Sequence, residues 1–261
     1  FGGTSLRRTD KFEVQYRRRP ASRRRAFHRG MRTTVRGGAN RKTAMNQTLD
    51  VVIGPCSMVE TDAMQHALAR VGARTRSCAG AQDVRHAAAL VVPWSACSWR
   101  GAQRYAELGL AEALVERIKA GRPTLVVGTA MQMVGLGCAE EGRRGLAALD
   151  LHSELGDRAP EACAWQYVWS ATESSQVPNG RYAFQRRYRA TRPPPGWACT
   201  VSDAEGLQLA SLERGAVLVT QFRPELSGAA GLEVLLRWCN RSRPVLRLQE
   251  ELAPASPLNA A

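Results

Sequence analysis

The chain has 261 residues, enough for one large domain or a domain with a tail, and its 44% hydrophobic content is ordinary for a globular core. Its formal net charge of +14 is unevenly placed. Residues 1–47 carry fourteen Lys/Arg against two acids (Asp10 and Glu13), a net of +12, which leaves 23 bases against 21 acids in the remainder. The composition is that of a near-neutral domain with a cationic arm, and it excludes a uniformly basic protein.

Seven dispersed cysteines (Cys56, Cys78, Cys97, Cys138, Cys163, Cys199 and Cys239) form no CxxC pair, which argues for reduced thiols and against a disulfide framework or a zinc site. No apolar run reaches the roughly 18 residues of a membrane span, and no secretory signal or internal repeat is visible.

The arm, residues 1–47, holds Arg7, Arg8, Lys11, Arg17, Arg18, Arg19, Arg23, Arg24, Arg25, Arg29, Arg32, Arg36, Arg41 and Lys42 among few aliphatics. Such a segment buries too little apolar surface to offset its ordering entropy and is expected to be disordered alone. Arginine triplets interleaved with Phe12, Tyr16 and Phe27 suit phosphate contacts with base or sugar stacking, so RNA contact through these bases and Tyr16 is expected. An Arg-rich, acid-poor N-terminus without an initiator methionine also predicts a mitochondrial matrix location, with chloroplast as the alternative.

From Leu49 the texture changes. LDVVIG reads as a buried strand, DAMQHALARVG as a helix closed by glycine, and AALVVP as a second buried strand. ELGLAEALVERIKAG predicts one periodic helix ending at Gly121, and PTLVVG predicts a third buried strand leading into AMQMVGLG. Buried strands alternating with helices imply a doubly wound α/β sheet whose site lies at the strand carboxyl ends. The segments CAWQYVW, GRYAFQRRYRA, WACTVSD, LQLASLE and AVLVTQF are shorter and richer in aromatic and β-branched residues, and predict antiparallel or mixed strands. GAAGLEVLLRWCN predicts a closing amphipathic helix. The expected domains are therefore an arm at 1–47, a globular unit at 48–241 and an extension at 242–261.

The order and spacing of LVVPWSACSWRGAQRYAELGLAEALVERIKAGRPTLVVGTAMQMV, EEGRRGL, CAWQ and VTQFRPELSGAAGLEVLLRW resemble the class I glutamine amidotransferases. Within that family they are most similar to the glutaminase subunit of imidazole glycerol phosphate synthase, over about Leu49 to Asn240. The resemblance implies a flavodoxin-like α/β domain: a central, mostly parallel sheet flanked by helices, plus a smaller antiparallel or mixed sheet, here with an extended basic N-terminal arm. It also implies where the family's chemistry would sit. A cysteine thiolate on a strand-to-helix turn attacks the glutamine amide, activated by a His–Glu pair, with backbone N–H groups holding the oxyanion.

The family's turn motif Gly-Ile-Cys-Leu-Gly-Met-Gln matches Val126, Val127, Gly128, Thr129, Ala130, Met131 and Gln132, which puts Gly128 at the nucleophile position. Phe-His-Pro-Glu matches Phe222, Arg223, Pro224 and Glu225, so Arg223 stands at the histidine position and Glu225 is kept. An arginine stays protonated and cannot act as a general base. The oxyanion loop matches Pro93, Trp94, Ser95 and Ala96, without its glycines; His-Met-Gly-Trp-Asn matches Ala162, Cys163, Ala164, Trp165 and Gln166; and His-Ser-Tyr matches Arg186, Arg187 and Tyr188.

Gly128, Arg223 and Glu225 thus read as vestigial positions, with Arg223 expected to pair with Glu225. These substitutions predict a chain that is not an enzyme, with no cofactor, metal or small-molecule substrate. The expected role is a structural subunit of a large organellar assembly, foremost a mitochondrial ribosome protein whose arm contacts ribosomal RNA beside neighbouring proteins. The alternatives are a supernumerary subunit of a respiratory or ATP synthase complex, and an inactive regulatory partner of a synthase subunit.

Overall fold

This computed structural model describes residues 48–252, apart from 94–97, 139–141, 157–162, 171–175, 186–187 and 203–206. The arm of residues 1–47 lies outside the described residues, as do Trp94, Ser95, Ala96, Cys97, Ala162, Arg186 and Arg187.

A nine-stranded sheet runs in the order β2-β1-β3-β4-β13-β12-β11-β8-β9. Its first five strands are parallel: β1 (Leu49–Ile53), β2 (Ala73–Ser77), β3 (Ala89–Val92), β4 (Thr124–Val127) and β13 (Val217–Thr220). The other four are antiparallel to their neighbours: β12 (Gln208–Arg214), β11 (Ala198–Ser202), β8 (Cys163–Ser170) and β9 (Gly180–Gln185). A smaller mixed sheet orders β10 (Tyr188–Arg189), β7 (His152–Leu155), β5 (Gly137–Cys138) and β6 (Arg143–Arg144). This is the expected fold: a mostly parallel centre with a second, mixed sheet.

The four-residue strands ALVV, TLVV and VLVT are buried at every position because helices cover both faces of the sheet. One face presents Val52, Leu90, Val92, Val126 and Val219 to α2 (Ala81–His86), α3 (Ser98–Glu107) and α4 (Ala111–Lys119). The opposite face presents Val51, Ile53, Val91, Leu125 and Leu218 to α1 (Met58–Arg70) and α6 (Gly228–Leu252). Alternate residues of one strand serve the two faces, as the pleat requires. The helix after β1 and the helices after β2 and β3 therefore lie on opposite sides of the sheet.

Three details differ from or extend the sequence reading. The helix expected over ELGLAEALVERIKAG is confined to α4, Ala111–Lys119, because Gly109 takes a left-handed φ of 67° that separates it from the end of α3. The polar stretch ARTRS forms β2, an edge strand whose charged side chains leave it solvated. Helix α6 runs through to Leu252, so helical backbone spans the expected 241/242 boundary.

Two charged side chains act as fasteners. Arg117, 1% exposed, donates to the carbonyls of Val84 (3.0 Å), Ala87 (2.8 Å) and Pro123 (2.8 Å) and to Thr124 Oγ1 (3.1 Å). It thereby ties α4 to α2 and to the entry of β4.

Asp83 accepts both guanidinium nitrogens of Arg76, at 2.8 and 2.6 Å, and the Ala79 N–H at 2.7 Å. Arg76 above all, and the Ala79 amide, hold its carboxyl down at about 2. A carboxyl whose folded-state value lies below its unfolded one stabilises above the unfolded value, about 4, and loses that contribution as pH falls through about 2. Asp83→Asn is therefore expected to lower the urea midpoint at pH 7 and to leave it nearly unchanged at pH 2.

Candidate functional site

At the carboxyl end of β4 the chain turns sharply at Gly128, whose φ is 61°, and enters the short helix α5 (Ala130–Val134). The Gly128 N–H donates to the Thr220 carbonyl at 2.7 Å, fixing the turn to the end of β13. Gln132 Nε2 donates to Gln221 Oε1 at 2.5 Å, a second buried link between the turn and β13. The strand-to-helix elbow is thus intact, with no side chain at its apex. Thr129 beside it is buried.

After β13, Phe222 inserts into the core against Tyr182 and Phe184, and the Arg223 N–H donates to the Ala183 carbonyl. This anchors the turn that carries Arg223 and Glu225. Arg223 Nε donates to Glu225 Oε1 at 2.7 Å, the pairing expected from sequence, and a guanidinium nitrogen reaches Gln185 Oε1 at 3.3 Å. The Glu225 side chain is 2% exposed, and its Oε2 has no hydrogen-bond partner among the described residues. Burial pushes this carboxyl up, and Arg223 opposes the shift.

The structure adds a residue that sequence spacing does not single out. Cys56, half-buried in the Gly54-Pro55-Cys56-Ser57 turn after β1, lies where the charges of Arg223 and Glu225 both act on it. Its thiol contacts Thr61 Oγ1 at 3.5 Å, and desolvation raises its pKa. The only cue was its place at the end of a buried strand. Helix α1, which follows this turn, packs against the Pro224–Leu226 turn.

Two of the remaining motif positions make buried structural contacts, whereas Trp165 is half exposed. Gln166 Oε1 accepts from Ser202 and Gln208 in a buried polar cluster beneath β8. Tyr188 accepts the Trp99 indole N–H at 2.9 Å, joining α3 to the smaller sheet. The described residues hold no group of three or more His, Cys, Asp or Glu placed to bind a metal, and no helix long and apolar enough to cross a membrane.

Chemically, the strand ends offer a left-handed elbow, a buried ion pair and a thiol. At the elbow itself a thiolate attack has no atom to make it, and Arg223 offers charge and hydrogen bonds in place of a base.

No family model matches the chain. Curated relatives do. The imidazole glycerol phosphate synthase subunit HisH of Symbiobacterium thermophilum is 30% identical over 199 residues, covering 72% of this chain and 92% of that protein. The subunit of the same name from Mycolicibacterium paratuberculosis is 32% identical over 193 residues, covering 68% and 90%. Among solved structures, a glutamine amidotransferase superposes with a TM-score of 0.56 at 16% identity, covering 71% of this chain and 98% of that one. A glutamine amidotransferase of Thermotoga maritima gives 0.52 at 14%, covering 80% and 87%.

These relatives correct the expectation that the chain is not an enzyme: they are named as a subunit of one, imidazole glycerol phosphate synthase, and the chain spans nine-tenths of their length. The physical reason the substitution argument overreached is that Gly128 and Arg223 change which atoms are available at two positions. A change of atoms at two positions does not decide what the rest of a chain of this family contributes. The chain belongs to the class I glutamine amidotransferase family, among the relatives of the HisH subunit of imidazole glycerol phosphate synthase.

Proposed function

We propose that the chain works as an amidotransferase-type subunit of a multi-component enzyme, docked through its strand-end face onto a synthase-type partner. The observation that carries this is an apolar rim beside the site. Met58 is 82% exposed and Val59 79%, in the first turn of α1, and Leu226 is exposed on the turn against which α1 packs. Large apolar side chains grouped beside the Arg223–Glu225 pair suit burial against another protein.

Mixing the chain with the other subunit of imidazole glycerol phosphate synthase is expected to give a one-to-one complex by size-exclusion chromatography. Met58→Glu with Val59→Glu is expected to abolish that complex while leaving the melting temperature unchanged, since both side chains are solvated. Absence of a complex, or one indifferent to the double substitution, sinks this reading.

The charge of residues 1–47 favours a second reading: an RNA-contacting arm within a large assembly of the mitochondrial matrix. Neutralising phosphates releases counterions, so a +12 segment supports tight, salt-sensitive binding. Deleting residues 1–47 is expected to abolish RNA retention in a filter-binding assay at low salt. Full-length binding should weaken by roughly a hundredfold or more between 50 and 200 mM salt. Retention that survives the deletion overturns the assignment.

A further inference from the structure

Strand β8 reads CAWQYVWS, and its side chains alternate across the sheet. Gln166 and Val168 point to one side, where both are buried and Val168 joins the core on the α1 and α6 side. Trp165, Tyr167 and Trp169 share the other side. There Trp169 packs against the core and pairs with Val201 of β11, whereas Trp165 is 50% exposed and Tyr167 56%. The layer that covers the parallel half of the sheet on that side stops short of these two rings. Large aromatic side chains left in water on one strand face are surface that a partner would cover.

The chemistry around the rings decides what kind of partner fits. Antiparallel pairing sets Tyr167 opposite Arg181 and Trp165 opposite Ala183, so the exposed Arg181 stands beside the tyrosine on the same face. Strands β8, β9 and β11 contain no acid. From Cys163 to Ser202 the sequence carries five arginines against one acid, Glu173, a net of +4. Residues 48–261 as a whole hold 23 bases against 21 acids, so this stretch is a cationic island in a unit otherwise slightly acidic. On this side β8 and β9 present no aliphatic side chain larger than alanine, unlike the rim of Met58, Val59 and Leu226. Aromatic faces with positive charge and without aliphatics suit the bases and phosphates of a nucleic acid better than a protein core.

Spacing selects the form of that nucleic acid. Two rings on one strand face stand about 6.8 Å apart, two residues of strand rise. That is about twice the 3.4 Å step along a duplex strand, so the pair suits splayed bases, one ring to each, and not a base-paired helix.

We propose that the β8–β9 face is a stacking platform for single-stranded nucleic acid. Trp165 and Tyr167 each take the face of one base, and Arg181 pairs with the phosphate backbone beside them. Sequence preference is weak, because every base has a π face. The proposal rests on neither reading above, since it needs neither a synthase-type partner nor residues 1–47.

The test is fluorescence anisotropy of a labelled oligouridine of about 12 nucleotides, titrated with the full chain. A duplex of the same length reports phosphate contacts alone. The unsubstituted chain is expected to prefer the single strand. Trp165→Ala with Tyr167→Ala is expected to weaken single-strand binding at least about thirtyfold and to leave duplex binding unchanged, which removes the preference. Trp165→Phe with Tyr167→Phe keeps both π faces and should bind within about threefold of the parent, separating stacking from any loss of folding. Arg181→Ala should lower the slope of log affinity against log salt by about one. Iodouridine in the same oligonucleotide should photocrosslink to Trp165 or Tyr167, located by mass spectrometry. Residues 1–47 are identical in every variant, so differences among them report the sheet face. An alanine double variant that keeps the single-strand preference, or crosslinks confined to residues 1–47, overturns the proposal. A double variant that binds the oligonucleotide normally but loses the complex with the synthase subunit also overturns it, and makes the face a protein contact.

Discussion

Gly128→Cys combined with Arg223→His is expected to raise the release of ammonia from glutamine at least about tenfold over the unsubstituted chain, read in a coupled ammonia assay. The elbow is already shaped for the change. Its φ of 61° costs a cysteine about 1–2 kcal/mol, within what a domain with these links to β13 tolerates. A thiol at position 128 would sit at the start of α5, where the helix terminus favours its thiolate.

The second substitution places an imidazole beside Glu225, whose side chain is 2% exposed and now holds the Arg223 guanidinium. A buried carboxylate next to an imidazole orients it and supports its charged form, the relationship a general base needs. The thiolate would attack the amide carbon, ammonia would leave with the imidazolium proton, and water would then release glutamate from the thioester. Each single substitution should give far less, because nucleophile and base act as a unit. An unchanged rate in a double variant that melts like the parent would show that positions other than 128 and 223 govern the reaction.

Arg117→Met is expected to produce the largest loss of stability of any single substitution considered. The guanidinium satisfies three carbonyls from two segments, Val84 and Ala87 of α2 and its C-cap and Pro123 before β4, at 2.8–3.0 Å, with Thr124 as a fourth partner. Methionine would fill much of the volume but leave those acceptors buried and unpaired, at about 1 kcal/mol or more each. A total of roughly 3 kcal/mol lowers the melting temperature of a domain this size by roughly 6–12 °C. Desolvation pushes the guanidinium down to about 9, so it remains protonated at neutral pH and its hydrogen bonds stay charge-assisted. Arg117→Lys should fall between the two, since three donors on one nitrogen cannot reach both α2 and the entry of β4. Differential scanning calorimetry checks the series, and a loss below about 1 kcal/mol for the methionine variant would show that water replaces the guanidinium.

Several features were legible in the residues because each depends on local pattern. The runs LDVVI, ALVV and TLVV are too short and apolar for anything but buried strands, and each is one. The motif register put Gly128, Arg223 and Glu225 at the strand ends, and the Arg223–Glu225 pair follows from two residues fixed to one turn. What failed locally was the single helix across Gly109, where a left-handed glycine outweighed apolar periodicity. Strand β2 was invisible for the opposite reason, since an edge strand needs no apolar face of its own.

By itself, then, the sequence determined the buried central strands and the residues at the elbow and ion pair, together with the placing of +12 of charge within residues 1–47. Only the tertiary structure decided what meets what. Strand β13 enters parallel to β4 although every later neighbour is antiparallel, and this brings Gln221 to Gln132 and Arg223 to the site. Arg117 reads locally as a solvated last-turn base and becomes a buried fastener only because α2 and the entry of β4 close around it. Trp165, Tyr167 and Trp169 share one strand face, and only the extent of the covering layer buries the third and leaves the first two in solvent. Periodicity encodes which face of a strand or helix is apolar. Contacts between distant turns are set by the winding of the sheet, which no local window of residues contains.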